Sequence, residues 1–190
     1  VGDAVEFEHP LLNKPWLNLL AGPANRQARI AADNMVFGNH TEYEGSIGTA
    51  IAKVFDITVA STGVPAKRLR ELNIPYLTAT IHPNSHAQYY PGAMPMTIKV
   101  VFSPDNGKLY GAQIVGVEGV DKRIDSYAMA IKQGLSITAL MEIEHAYAPP
   151  YSSAKDPVAI SAYVAGNILN GKMTPLYWRD LLTTNREERI

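Results

Sequence analysis

Cysteine is absent from the 190 residues. That omission excludes a disulfide framework, a thiolate metal site, a catalytic thiol and a redox dithiol, so any thiol chemistry linked to the chain is supplied from outside it. Long apolar runs are lacking too. The stretches 47–54 and 111–117 fall far short of the roughly 20 residues that a membrane-spanning helix needs. Neither an apolar leader nor a lipidation signal is legible, and the expected location is the cytoplasm. Charge of one sign is also scarce: 17 Lys and Arg against 18 Asp and Glu leave a net −1, which gives no handle for nucleic acid or an anionic membrane. His9, His40, His82, His86 and His145 share no spacing that would set two on one helix face, so no metal is expected.

What is present is ordinary globular composition, 46% hydrophobic and 18% charged, at a length that suits one core with extra ends. The opening Val1-Gly2-Asp3-Ala4 and the closing charged run at 186–189 read as cuts inside a longer protein. After a connector over 9–15, residues 23–37 have Pro23 in a first-turn position, helical apolar spacing and a stop at Gly38. Residues 53–60 (KVFDITVA) read as one β-branched strand, followed by a short helix over 65–72. Residues 76–82 and 96–102 alternate as half-buried strands do. A strong turn signal at 104–107 leads into 109–117, predicting a hairpin. Helical spacing predicts helices over 121–133, with Asp121 as N-cap, over 138–143, and over 158–169 behind an Asp156-Pro157 start. The fold class is α+β, with helices packed on a mainly antiparallel sheet.

The strings GDA (2–4) with LLAGPANRQARIAADN (19–34), GTAIAKVFDITVASTG (48–63) with HPNSHAQYYPG (82–92) and KLYGAQIVG (108–116), and GVEGVDKRID (116–125) with EHAYAPPYSSAKDP (144–157) resemble the pyridine-nucleotide disulfide oxidoreductases. Within that family they resemble the coenzyme A-disulfide reductase and NADH oxidase branch. The resemblance covers about residues 1–172, and AYAPPYSSAKDP is its most specific string. It implies that residues 1–45 are the end of an FAD-binding domain, that 46–172 form the dimerisation domain, and that 173–190 lead toward a rhodanese-like domain.

The resemblance further implies a homodimer whose parent uses FAD and NAD(P)H to reduce a coenzyme A-type thiol compound, disulfide or persulfide. Asp3, Gly22, Pro23 and Ala24 would be the flavin contacts, because free N–H groups and the positive end of a helix dipole favour charge on a reduced flavin. Tyr147 and Tyr89 would reach the partner's active-site cysteine, with Tyr90 as an alternative to Tyr89. A phenol donates a hydrogen bond and stays neutral up to a pKa of about 10. Since the chain has neither a cysteine nor a GxGxxG fingerprint, it is expected to be inactive and colourless alone. Lys122 and Arg123 read as a solvated helix start, with a coenzyme A phosphate contact as the other reading. An NADH oxidase or peroxidase, and a free-standing binding module, are the rival functions.

Overall fold

The computed structural model describes residues 1–177 and 180. A 3-10 turn at Gly2–Ala4 precedes a ribbon of β1 (Phe7–Glu8) and β2 (Pro15–Trp16), and then α1 (Ala21–Phe37). The rest is one antiparallel sheet with helices. Its strands are β3 (Ala50–Val54), β4 (Ile57–Gly63), β5 (Leu77–Ile81), β6 (Met96–Phe102) and β7 (Leu109–Gly116), in the order β3-β4-β7-β6-β5. The short α2 (Ala66–Glu71) links β4 to β5, while α3 (Val120–Lys132), α4 (Ile137–Met141) and α5 (Pro157–Leu169) follow the sheet.

The core lies between one sheet face and two helices. Alternation along the strands turns Ile98, Val100 and Phe102 of β6, Ala112 and Ile114 of β7, and Ala79 and Ile81 of β5 to that face. They meet Ile124, Tyr127 and Ile131 of α3 and Val158, Ala162 and Ala165 of α5. Helix α3 covers β7 and β4, and α5 covers β5 and β6. Each large side chain so buried stabilises the fold by about 1.5–3 kcal/mol. The one buried phenol among these residues is satisfied: the Tyr127 hydroxyl lies 2.6 Å from Ser161 Oγ, and so joins α3 to α5 through a polar contact.

Two sequence expectations are corrected. Residues 53–60 are not one strand but parts of β3 and β4, which form a hairpin with Val54 opposite Ile57. Phe55 takes the turn position at φ 53° and is 94% exposed. Nothing in its type announces a turn, since that conformation is usually left to Gly or Asn. Asp121 is not the N-cap of α3. Gly119, at φ 68°, occupies that place, and Asp121 stands in the first turn, where its charge still faces the positive end of the helix. Val120 is 1% exposed, so its burial in the core accompanies the earlier start. Asp156 does cap α5, accepting from the Val158 N–H at 2.8 Å. Ser136 likewise caps α4 by accepting from the Ala139 N–H at 3.2 Å.

Candidate functional site

Two loops leave the same end of the core. One, residues 82–95, connects β5 to β6, and the other, residues 142–156, connects α4 to α5. The first is laced internally. The Ser85 N–H donates to the Met94 carbonyl at 2.8 Å and the Met96 N–H to the Pro83 carbonyl at 2.8 Å. His86 is buried, with Nε2 3.2 Å from the Pro91 carbonyl and Nδ1 3.1 Å from Ser85 Oγ. Because a carbonyl only accepts, Nε2 carries a proton in this arrangement. The Tyr90 ring meets the His86 ring edge-on at 5.9 Å, which leaves Tyr89 as the more exposed tyrosine of the turn.

The structure brings Tyr89 and Tyr147 together. Their hydroxyl oxygens lie 3.3 Å apart, within hydrogen-bond distance, at 76% and 48% residue exposure. The contact with Tyr147 raises the pKa of Tyr89 above the usual phenol value, with smaller contributions from desolvation and from the Tyr147 charge. Tyr89 therefore stays protonated at neutral pH. One hydroxyl can donate to the other, whose own proton is left free for an external acceptor. Such a pair suits stabilisation of a developing anion, a thiolate among them.

The two loops share a buried side chain whose role is not evident from the sequence. Arg123, expected in a solvated helix start or on a phosphate, is 1% exposed. Its Nη2 donates to the Ser85 carbonyl at 2.7 Å and to Asp156 Oδ2 at 3.0 Å, its Nε to Asp156 Oδ1 at 3.3 Å, and its Nη1 to the Gly119 carbonyl at 2.9 Å. Ser152 Oγ donates to Asp156 Oδ2 at 2.6 Å. Burial alone would push the Asp156 carboxyl up, but the Ser152 hydroxyl, Arg123 and the Val158 N–H together hold it below the usual carboxylate range. The Ala87 N–H also donates to the Ser152 carbonyl at 3.0 Å, directly linking the loops. Lys122 is exposed and donates to the Tyr151 carbonyl at 2.8 Å, so it too holds the second loop. Partial desolvation of its ammonium lowers its pKa, as does the neighbouring Arg123. The signal for Arg123 was available: it falls with Val120, Ile124, Tyr127 and Ile131 on the buried face of α3.

A second place of interest is the start of α1. Leu20 is its N-cap and offers no side-chain cap, so the first N–H groups of the helix lack that partner. The Gly2–Ala4 turn packs here: the Gly2 N–H donates to Gln27 Oε1 at 2.7 Å, and a Cβ placed on Gly2 would lie 4.0 Å from that of Ala24. Asp3 in that turn is exposed. Gly22 and Pro23 line a cleft of about 360 Å³ together with Arg26, Tyr43 and Thr49. The Tyr43 hydroxyl is buried and has no hydrogen-bond partner among the described residues. A Cβ placed on Gly22 would meet no other atom within 4 Å.

Among the described residues, no helix is long and apolar enough to cross a membrane. The family described as pyridine nucleotide-disulphide oxidoreductase, dimerisation domain, matches residues 49–158. A coenzyme A disulfide reductase of Staphylococcus aureus (strain bovine RF122 / ET3-1) is 37% identical over 165 residues, 87% of this chain and 37% of that protein. The crystal structure of reduced CoADR-RHD from Bacillus anthracis superimposes with a TM-score of 0.92 at 47% identity, covering 96% of this chain and 33% of that one. A NAD-dependent persulfide reductase from A. fulgidus superimposes with a TM-score of 0.88 at 37% identity, covering 92% and 32%. The chain thus spans 37% of the length of the curated relative quoted.

Proposed function

Because the chain belongs to the pyridine nucleotide-disulphide oxidoreductase family through its dimerisation domain, we propose that it is the dimer-forming part of an FAD-dependent NAD(P)H reductase acting on coenzyme A disulfide or persulfide. Residues 1–45 would complete the flavin domain, 46–172 the dimerisation domain, and 173–190 a lead toward a further domain. Trp178, Arg179 and residues 181–190 lie outside the described residues. The observation that carries this reading is the Tyr89–Tyr147 contact at 3.3 Å, which ties two residues of separate loops into one donor pair.

In a homodimer the pair would face the cysteine of the partner subunit, since this chain has none. When a thiol attacks a disulfide, the S–S bond breaks and the departing sulfur carries the electron pair as a thiolate. A phenol proton aimed at that sulfur stabilises it without adding a permanent charge. The raised pKa of Tyr89 keeps that proton in place at neutral pH.

The α1 end suits a flavin. The uncapped Ala21 and Gly22 N–H groups would offer donors to an electron-rich ring edge, Pro23 and Ala24 would line the contact, and Asp3 lies in the adjoining turn. FAD when bound would supply the two-electron link from NAD(P)H to the thiol centre. These residues would hold and polarise it. The oxidase reading is less favoured, because the relatives quoted at 37% identity bear disulfide and persulfide reductase names.

The test is made on the full-length protein with oxygen, coenzyme A disulfide and coenzyme A persulfide side by side. Turnover should be greatest with a sulfur substrate, and Tyr147→Phe should depress that turnover more than the reduction of flavin by NAD(P)H. Equal loss in both half-reactions, or a preference for oxygen, would contradict the reading.

A further inference from the structure

The two phenols sit on loops that share no strand pairing, and both are exposed. Mutual attraction between exposed hydroxyls is worth about 0.5–1.5 kcal/mol at best, too little to order two loops. Other contacts between the loops must fix the spacing. The described contacts that join the loops to each other run through a buried cluster: Arg123 on the Ser85 carbonyl and on Asp156, Asp156 on Ser152, and the Ser152 carbonyl on the Ala87 N–H. Ala87 is two residues before Tyr89, and Ser152 is five residues after Tyr147, so the clamp acts within a short chain length of both rings.

The geometry of the guanidinium is specific to the task. Its Nη2 serves both loops at once, at 2.7 Å to the first and 3.0 Å to the second, while Nη1 anchors the fork to the start of α3. Arginine has five N–H donors in a rigid plane, whereas a lysine ammonium is a point charge on a flexible stem. Arg123, Ser85, Ala87, Ser152 and Asp156 are all buried, which shields the bonds that join the two loops from water, while Gly119 is half-buried.

We infer that Arg123, with Asp156, is a positioning residue for the tyrosine pair: it sets the distance between Tyr89 and Tyr147 by gripping the backbone of one loop and the carboxylate of the other. This rests on the reading in which the pair assists sulfur reduction. Arg123, 1% exposed, acts here through the loops that carry the tyrosines. A displacement of about 1 Å in such a pair can lower turnover by up to about 100-fold.

The experiment is a double-mutant cycle in the full-length, flavin-loaded protein with coenzyme A disulfide as substrate. Arg123→Lys keeps the charge but loses the fork, and Asp156→Asn is a milder companion that keeps shape and an acceptor. Each should lower kcat by about tenfold or more with KM nearly unchanged. Each should add little further loss in a Tyr147→Phe background, because the pair is already broken there. The Tyr89 phenol in Arg123→Lys should titrate closer to an ordinary tyrosine. Losses that multiply in the Tyr147→Phe background would mean a general structural role and would overturn the inference. So would wild-type kcat in both clamp variants alongside a clear loss in Tyr147→Phe. If Tyr147→Phe itself turns over normally, the tyrosine reading fails first, and the clamp loses its object.

Discussion

The hydroxyls of Tyr89 and Tyr147 lie 3.3 Å apart although 58 positions separate them in the chain. Contact with Tyr147 is the largest cause of the raised pKa of Tyr89. Tyr147→Phe should therefore lower the Tyr89 pKa toward the ordinary phenol value, read as an earlier rise in tyrosinate absorbance on alkaline titration. The sign follows from the raised value: the contact favours the protonated phenol and is lost as pH climbs through the folded pKa. An unchanged titration would show that the two rings do not meet in solution.

Breaking the buried ion pair should be costly. Arg123→Met leaves the Asp156 carboxylate buried without its cation, an effect of about 3–5 kcal/mol. Denaturant unfolding would show it as a lower midpoint with a similar slope. A cost under about 1 kcal/mol, typical of a surface pair, would mean that water reaches the cluster.

The same carboxyl makes stability depend on acid. Asp156 titrates lower in the folded chain than in the unfolded one, so the folded state binds fewer protons there and stability rises with pH. Its contribution is complete above an unfolded value of about 4 and is lost as pH falls through the folded value. Thermal melts between neutral pH and strong acid should show a smaller fall for Asp156→Asn than for the wild type.

Gly119 sits at φ 68° with Arg123 Nη1 directly over the place where a Cβ would be. Gly119→Ala should strain the backbone by about 1–3 kcal/mol and push the guanidinium away from Ser85. It should then lower thermal stability and shift the Tyr89 titration in the same direction as Arg123→Lys. A stability loss with an unmoved Tyr89 would separate backbone strain from the clamp.

The purified chain should be a dimer by light scattering, as its dimerisation-domain family implies. A clean monomer at concentrations near 10 μM, where a dimer with a Kd below about 1 μM would be largely formed, would count against an interface held by this segment alone.

Much of the fold is legible in the sequence because local rules agree there with the tertiary result. The apolar alternation over 96–102 and 109–116 sets a hairpin, and Asp156-Pro157 starts α5 as capping chemistry requires. The β3–β4 turn was not legible, since Phe55 takes a conformation its type disfavours. The strings that carried Tyr89, Tyr147 and the α1 start were in plain view, yet no spacing rule says that a turn after β5 and a loop before α5 end 3.3 Å apart. Only the packing of both loops around α3 decides that. Arg123 shows the reason in one residue: helical spacing sets it on the apolar face of α3, whereas its partner Asp156, 33 positions away, is met only when α3 and the start of α5 pack together. Periodicity is a property of neighbours along the chain. The meeting of long-range polar partners is a property of the folded core.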